Sequence, residues 1–72
     1  IMKQISDVIH DLYVIYHHSS YQWSIRFVSE GMATRTFQFE EVSTLISIDL
    51  IKDKQISSVR CDTNARLCTI YL

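Results

Sequence analysis

Apolar residues in the first segment of the chain recur at steps of three and four. Ile5, Val8, Ile9, Leu12, Ile15 and Tyr16 make one stripe, while Lys3, Asp7, His10, Asp11 and His17 fall on the other side. That period is helical, so the segment is predicted to be an amphipathic helix with its stripe turned to a core. Ser6 is a candidate cap, with Asp7 then near the positive end of the helix dipole. A start nearer Met2 would leave Ser6 as an ordinary surface position. His17-His18-Ser19-Ser20 closes the helix as a polar connector, and Val14 stands on its polar side.

The period then changes to two. Tyr21, Trp23, Ile25 and Phe27 alternate with Gln22, Ser24 and Arg26. Beyond Ser29-Glu30-Gly31, Ala33, Arg35, Phe37 and Phe39 alternate with Thr34, Thr36 and Gln38. Each run reads as a strand with one apolar face, and the two together read as a hairpin. A three-residue loop with Gly31 in the left-handed region fits the connection. It would pair Val28 with Met32, Ile25 with Arg35, Trp23 with Phe37 and Tyr21 with Phe39, which gathers the rings on one side. Arg35 shares that side. An unpaired buried arginine is costly, so Arg35 is expected at the margin of the sheet, against an acid, or under a partner.

Glu40-Glu41 followed by Val42, Leu45 and Ile46 predicts a second helix, with two acids at its positive end. It is expected to run from Glu40 to about Ile48 and to give way to an irregular stretch through Lys54. A strand over residues 45–51 is the alternative, because Ile46, Ile48 and Leu50 also alternate with Ser47 and Asp49. Gln55 to Cys61 and Arg66 to Leu72 are rich in β-branched and apolar residues, and Asp62-Thr63-Asn64-Ala65 supplies turn chemistry between them. A two-residue loop at Asn64-Ala65 would set Cys61 opposite Cys68 and Val59 opposite Ile70. A four-residue loop would set the cysteines diagonally.

The predicted fold is thus α+β, one small domain over residues 1–72 in the order helix-hairpin-helix-hairpin (αββαββ). A four-stranded antiparallel sheet with two helices on one face would let every one-sided element bury its apolar side. Gln22, Ser24, Arg26, Thr34, Thr36 and Gln38 would line the other face.

Length and charge narrow the function classes. At 72 residues there is room for one core, and a domain of this size buries only about 60% of its unfolded surface. The formal net charge is −1 with no long run of like sign, so neither a nucleic-acid binder nor an acidic mimic is indicated. No apolar stretch is long enough to cross a membrane, and Asp7 and Asp11 interrupt any reading of the N-terminus as a signal peptide. Ile1 ahead of Met2 suggests a cloning remnant or an excised fragment, with Met2 the expected natural start. A soluble, cytoplasmic protein is expected, with Cys61 and Cys68 as reduced core residues; a cross-strand disulfide is the alternative.

Candidate chemistry is sparse. His10, His17 and His18 with Asp7 and Asp11 suggest a metal site, but only the pairs Asp7–His10 and Asp7–Asp11 have helical ligand spacing. A solvated polar face is the simpler reading, and no metal or cofactor is expected. With one glycine there is no phosphate loop, and no acid pair or Ser-His-Asp arrangement has a local signature. The hairpin rings could stack bases with help from Arg26, Arg35, Arg60 and Arg66, yet the same rings are needed as core. The leading expectation is a non-enzymatic protein-interaction domain. Its partner-binding residues would be Arg26, Glu30, Met32, Thr34, Arg35, Thr36 and Gln38. Such a build suits an adaptor, an immunity factor or a small phage or mobile-element inhibitor of the anti-CRISPR kind, and a homodimer is one form it could take. The alternative is a weak RNA- or single-stranded-DNA-binding module.

Overall fold

The computed structural model describes residues 4–29, 32–46 and 54–72. Helix α1 spans Ile5–Tyr16 and is followed by strands β1 (Ser24–Ser29) and β2 (Met32–Gln38). Helix α2 (Phe39–Ile46) then leads toward β3 (Ser58–Asp62) and β4 (Leu67–Tyr71). The result is a small α+β fold built on one four-stranded sheet in the order β2-β1-β4-β3.

The sheet is mixed, which corrects the expectation of an antiparallel sheet. β1 pairs with β2 and β3 with β4 in antiparallel fashion, but the central pair, β1 and β4, runs parallel. Burial decides which strands are central, though not their relative direction. β1 carries Ile25 and Phe27 and β4 carries Cys68 and Ile70, all of them buried, whereas β3 is mostly exposed. The two most apolar strands take the centre, where both neighbours shield them, and the polar strands take the edges. With each antiparallel neighbour outside, β2 and β3 also share a direction.

α1 begins at Ile5, so Ser6 lies inside the first turn and caps nothing. Gln4 occupies the cap position without a side-chain hydrogen bond. The chain start is instead held by backbone: Ile5 N–H donates to the Lys54 carbonyl, and Gln4 bridges Gln55. Ile5, Val8, Ile9 and Leu12 are buried, and Tyr16 packs at the edge of the core. Ile15 does not follow its stripe. It is 62% exposed, and Tyr13 and Val14 beside it are open as well. At 100° per residue Ile15 sits on the flank of the buried sector, in the last turn of the helix.

The first hairpin pairs two residues out from the expected register. Ile25 faces Phe37, Phe27 faces Arg35 and Ser29 faces Met32, with an irregularity between Phe27 and Ser29. A bulge on β2 absorbs the offset, with Ala33 and Thr34 together opposite the single residue Val28, and the loop position given to Gly31 lies outside the described residues. The cross-strand partners foreseen for Trp23 and Tyr21 are therefore lost. Trp23 precedes β1 and packs on Tyr16, ring centroids 4.0 Å apart; Phe39 opens α2 6.3 Å from the same Tyr16 ring. The rings still go inside: Trp23, Phe27 and Phe39 are buried and Phe37 is packed against them, while Tyr21 stays in solvent. Fully burying a side chain of the size of Ile25 or Ile70 contributes roughly 1.5–3 kcal/mol, and both have no exposed surface.

The helical reading of Glu40 onward holds through Ile46, with Val42 buried. Residues 47–53, including the proposed helix end at Ile48 and most of the alternative strand, lie outside the described residues. In the second hairpin Cys61 faces Cys68 and Val59 faces Ile70. That is the register expected of the shorter loop, although the strands themselves stop at Asp62 and Leu67. The turn is set by Asp62, whose Oδ1 accepts from the backbone N–H groups of Asn64 and Ala65. Arg66 then takes a positive φ of 54°, the left-handed residue that returns the chain to β4. Facing positions put the thiols within bonding reach, and Cys61 and Cys68 form a disulfide. The expectation of reduced cysteines is thereby overturned: Cys68 is buried, but its partner sits on an exposed edge strand.

Candidate functional site

The face of the sheet turned away from Ile25, Phe27, Cys68 and Ile70 carries an open groove lined by two arginines. It follows from the strand register. Thr36 on β2, Arg26 on β1, Thr69 on β4 and Arg60 on β3 form one row across the sheet. Successive residues of a strand point to opposite faces, so with Ile25 and Phe27 in the core Arg26 is directed outward. Thr69, between buried Cys68 and Ile70, is directed outward too. An open groove of about 450 Å³ runs over this row, lined by Arg26, Arg60, Asp62, Leu67, Thr69 and Tyr71.

Arg26 is the most constrained group in it. Its Nη2 donates to Thr69 Oγ1 at 3.2 Å, while its Nε is buried and has no hydrogen-bond partner. A donor removed from water and left unused costs about 1–3 kcal/mol, and such a group calls for an explanation.

The expected partner-binding residues divide. Arg26, Thr36 and Gln38 do come together on the outer face, where Ser24 pairs with Gln38 and Arg26 with Thr36. Arg35 does not join them. It faces Phe27 on the core side of an edge strand, and it is exposed; the margin position expected for it is the one it takes. Met32 pairs with Ser29 at the end of the hairpin. The side chains of Met32 and Thr34, and all of Glu30, lie outside the described residues. Thr69, Leu67 and Tyr71 were not foreseen, and Arg60 was named only for the nucleic-acid alternative. Only the pairing of β1 with β4 places them beside Arg26, and no local pattern announces that pairing.

A second cavity, of about 150 Å³, opens where the end of α1 meets the start of α2, lined by Tyr16, Tyr21, Trp23, Gln38, Phe39 and Glu40. Its walls are the outer rim of the aromatic cluster. Ser19 Oγ accepts the Trp23 indole N–H at 2.9 Å, and the Arg66 guanidinium lies 3.6 Å over the Tyr21 ring. The histidines are spread along exposed surface. His17 stacks on Tyr13, and His10 stands 3.9 Å from the carboxylate of Asp11. Among the described residues no three metal-ligating side chains converge. Among them, too, no helix is long and apolar enough to cross a membrane.

No protein-family model, no curated protein and no solved structure matches this chain.

Proposed function

We propose that this chain is a non-enzymatic binding domain that engages a protein partner through the outer face of its sheet. The observation that carries the reading is the Arg26–Thr69–Arg60 row beneath an open groove, with one guanidinium donor left unused. Arginines beside an aromatic ring are the kind of group that anchors protein interfaces; Arg26 is half-buried, Arg60 is exposed, and Tyr71 supplies the ring. A small inhibitor encoded by a phage or mobile element, an immunity factor or an adaptor would act in this way. The disulfide between Cys61 and Cys68 favours an oxidising compartment over the cytoplasm.

The test is capture of the partner from the native host, with the wild-type chain and with Thr36→Trp and Gln38→Trp variants, which block the face by bulk, as bait. Both residues are exposed on the outer face. The same protein should be retained by the wild type and lost by both variants, at unchanged melting temperature. Retention by both variants would refute the face, and turnover of a small molecule with no partner retained would refute the class.

A nucleic-acid role ranks second, favoured by the presence of Arg26, Arg60 and Tyr71 in one groove. Binding to random single strands that strengthens steeply as salt is lowered would support it.

A further inference from the structure

We infer that the outer groove is a carboxylate clamp, and that the partner enters it with an acidic segment whose carboxylate sits above Thr69 between Arg26 and Arg60. The inference rests on the partner-binding reading of this face and adds the chemistry of the partner.

Arg26 and Arg60 both neighbour Thr69 in the same row, one on β1 and the other on β3. Adjacent strands lie about 4.8 Å apart, so the two arginine backbones are roughly 10 Å from each other. Side chains of that length can converge on a group between them, and both line the same groove. Thr69 Oγ1 already accepts from Arg26, which leaves the hydroxyl as a donor. The unused Nε of Arg26 completes the set. A modest rotation of the side chain toward the groove would present Nε and an Nη together, the fork that matches a carboxylate.

The distribution of charge says which ligand fits. The two helices carry Asp7, Asp11, Glu40 and Glu41 and no lysine or arginine. The strands carry Arg26, Arg35 and Arg60 against the single acid Asp62, whose Oδ1 also holds the turn. Positive charge is therefore concentrated on the sheet layer and negative charge on the helix layer. A short acidic segment meets only the sheet layer. A long polyanion such as a nucleic acid would also feel the helix carboxylates and gains nothing from a net charge of −1.

Arginine side-chain Nε–Hε resonances of the ¹⁵N-labelled protein, titrated with a tetraglutamate peptide, provide the test. The Arg26 and Arg60 signals should move together with one midpoint, and that of Arg35, on the other side of the sheet, should stay. Arg26→Gln and Arg60→Gln should each raise the midpoint at least about tenfold, as loss of a charge-assisted hydrogen bond implies, with backbone spectra that report an intact fold. Equal movement at Arg35 would mean general screening and overturn the clamp. So would inorganic phosphate or oligothymidylate moving the two signals where the peptide does not. If both arginine variants still capture the partner while Thr36→Trp loses it, the face stands and the clamp falls. If none of the three loses it, both readings fall.

Discussion

The indole N–H of Trp23 donates to Ser19 Oγ at 2.9 Å, and Ser19 in turn donates to the Tyr21 carbonyl. One hydroxyl thus serves as acceptor and donor for the connector between α1 and β1, at the point where the Tyr16 ring packs, tilted by 33°, on the same indole. Ser19→Ala leaves a buried donor unsatisfied. It should cost about 1–3 kcal/mol, read by urea denaturation, together with a shift of the tryptophan emission. Ser19→Thr keeps the hydroxyl and should stay near wild type. An alanine variant of unchanged stability would show that the indole finds water instead.

The disulfide between Cys61 and Cys68 closes a short loop, with a sequence separation of seven. In the chain-entropy account a loop of that length contributes roughly 2–3 kcal/mol. For a domain of this size that is a shift in melting temperature of about 10–20 °C. Reductant should lower the melting temperature of the wild type by this order and leave a Cys61→Ala, Cys68→Ala double variant untouched. Equal melting of the wild type with and without reductant would show that the bond is not formed in solution.

These contacts mark the boundary between what the sequence made legible and what it did not. Helices and strands were readable because Ile5, Val8, Leu12, Ile25 and Phe27 each repeat at the period of their element. Strand direction was not, because an alternating pattern looks the same in a parallel and an antiparallel neighbour. The register of the first hairpin slipped for a related reason. A shift of two positions keeps Phe27 and Phe37 on the same face, so burial does not distinguish the two pairings; only the loop and the irregularity at Val28 decide. Of the candidate site, Arg26, Thr36 and Gln38 were visible as the polar phase of one hairpin. Arg60 and Thr69 belong to the site only through the contact of β1 with β4, between segments far apart in the chain.

Ile15 is a sharp test of the observed packing of α1. It belongs to the apolar stripe by spacing, yet it is exposed, whereas Leu12 one turn earlier is buried. Ile15→Lys should change stability by no more than about 0.5 kcal/mol, as surface substitutions do. Leu12→Ala should cost about 2–5 kcal/mol, enough to unfold much of a domain this small. Circular dichroism melts of the two variants separate the cases. A large loss at Ile15 would mean that a surface of this chain or of a second copy covers it in solution.

The final test concerns the turn that holds the β3–β4 edge of the groove. Asp62 Oδ1 accepts two backbone N–H groups, from Asn64 at 2.9 Å and Ala65 at 3.1 Å. Its capping is local and needs an acceptor oxygen rather than a charge. Asp62→Asn retains that oxygen and should melt near wild type. Asp62→Ala removes it and should cost about 1 kcal/mol, the usual worth of a cap of this kind. The two variants also separate structure from electrostatics in the groove, because each removes the one acid beside Arg60. Both should therefore bind an acidic peptide more tightly than the wild type when the turn is intact, and Asp62→Asn should show the gain without the loss of stability. Weaker peptide binding by Asp62→Asn would mean that the carboxylate itself assists the ligand, contrary to a groove whose only attraction for it is the pair of guanidiniums.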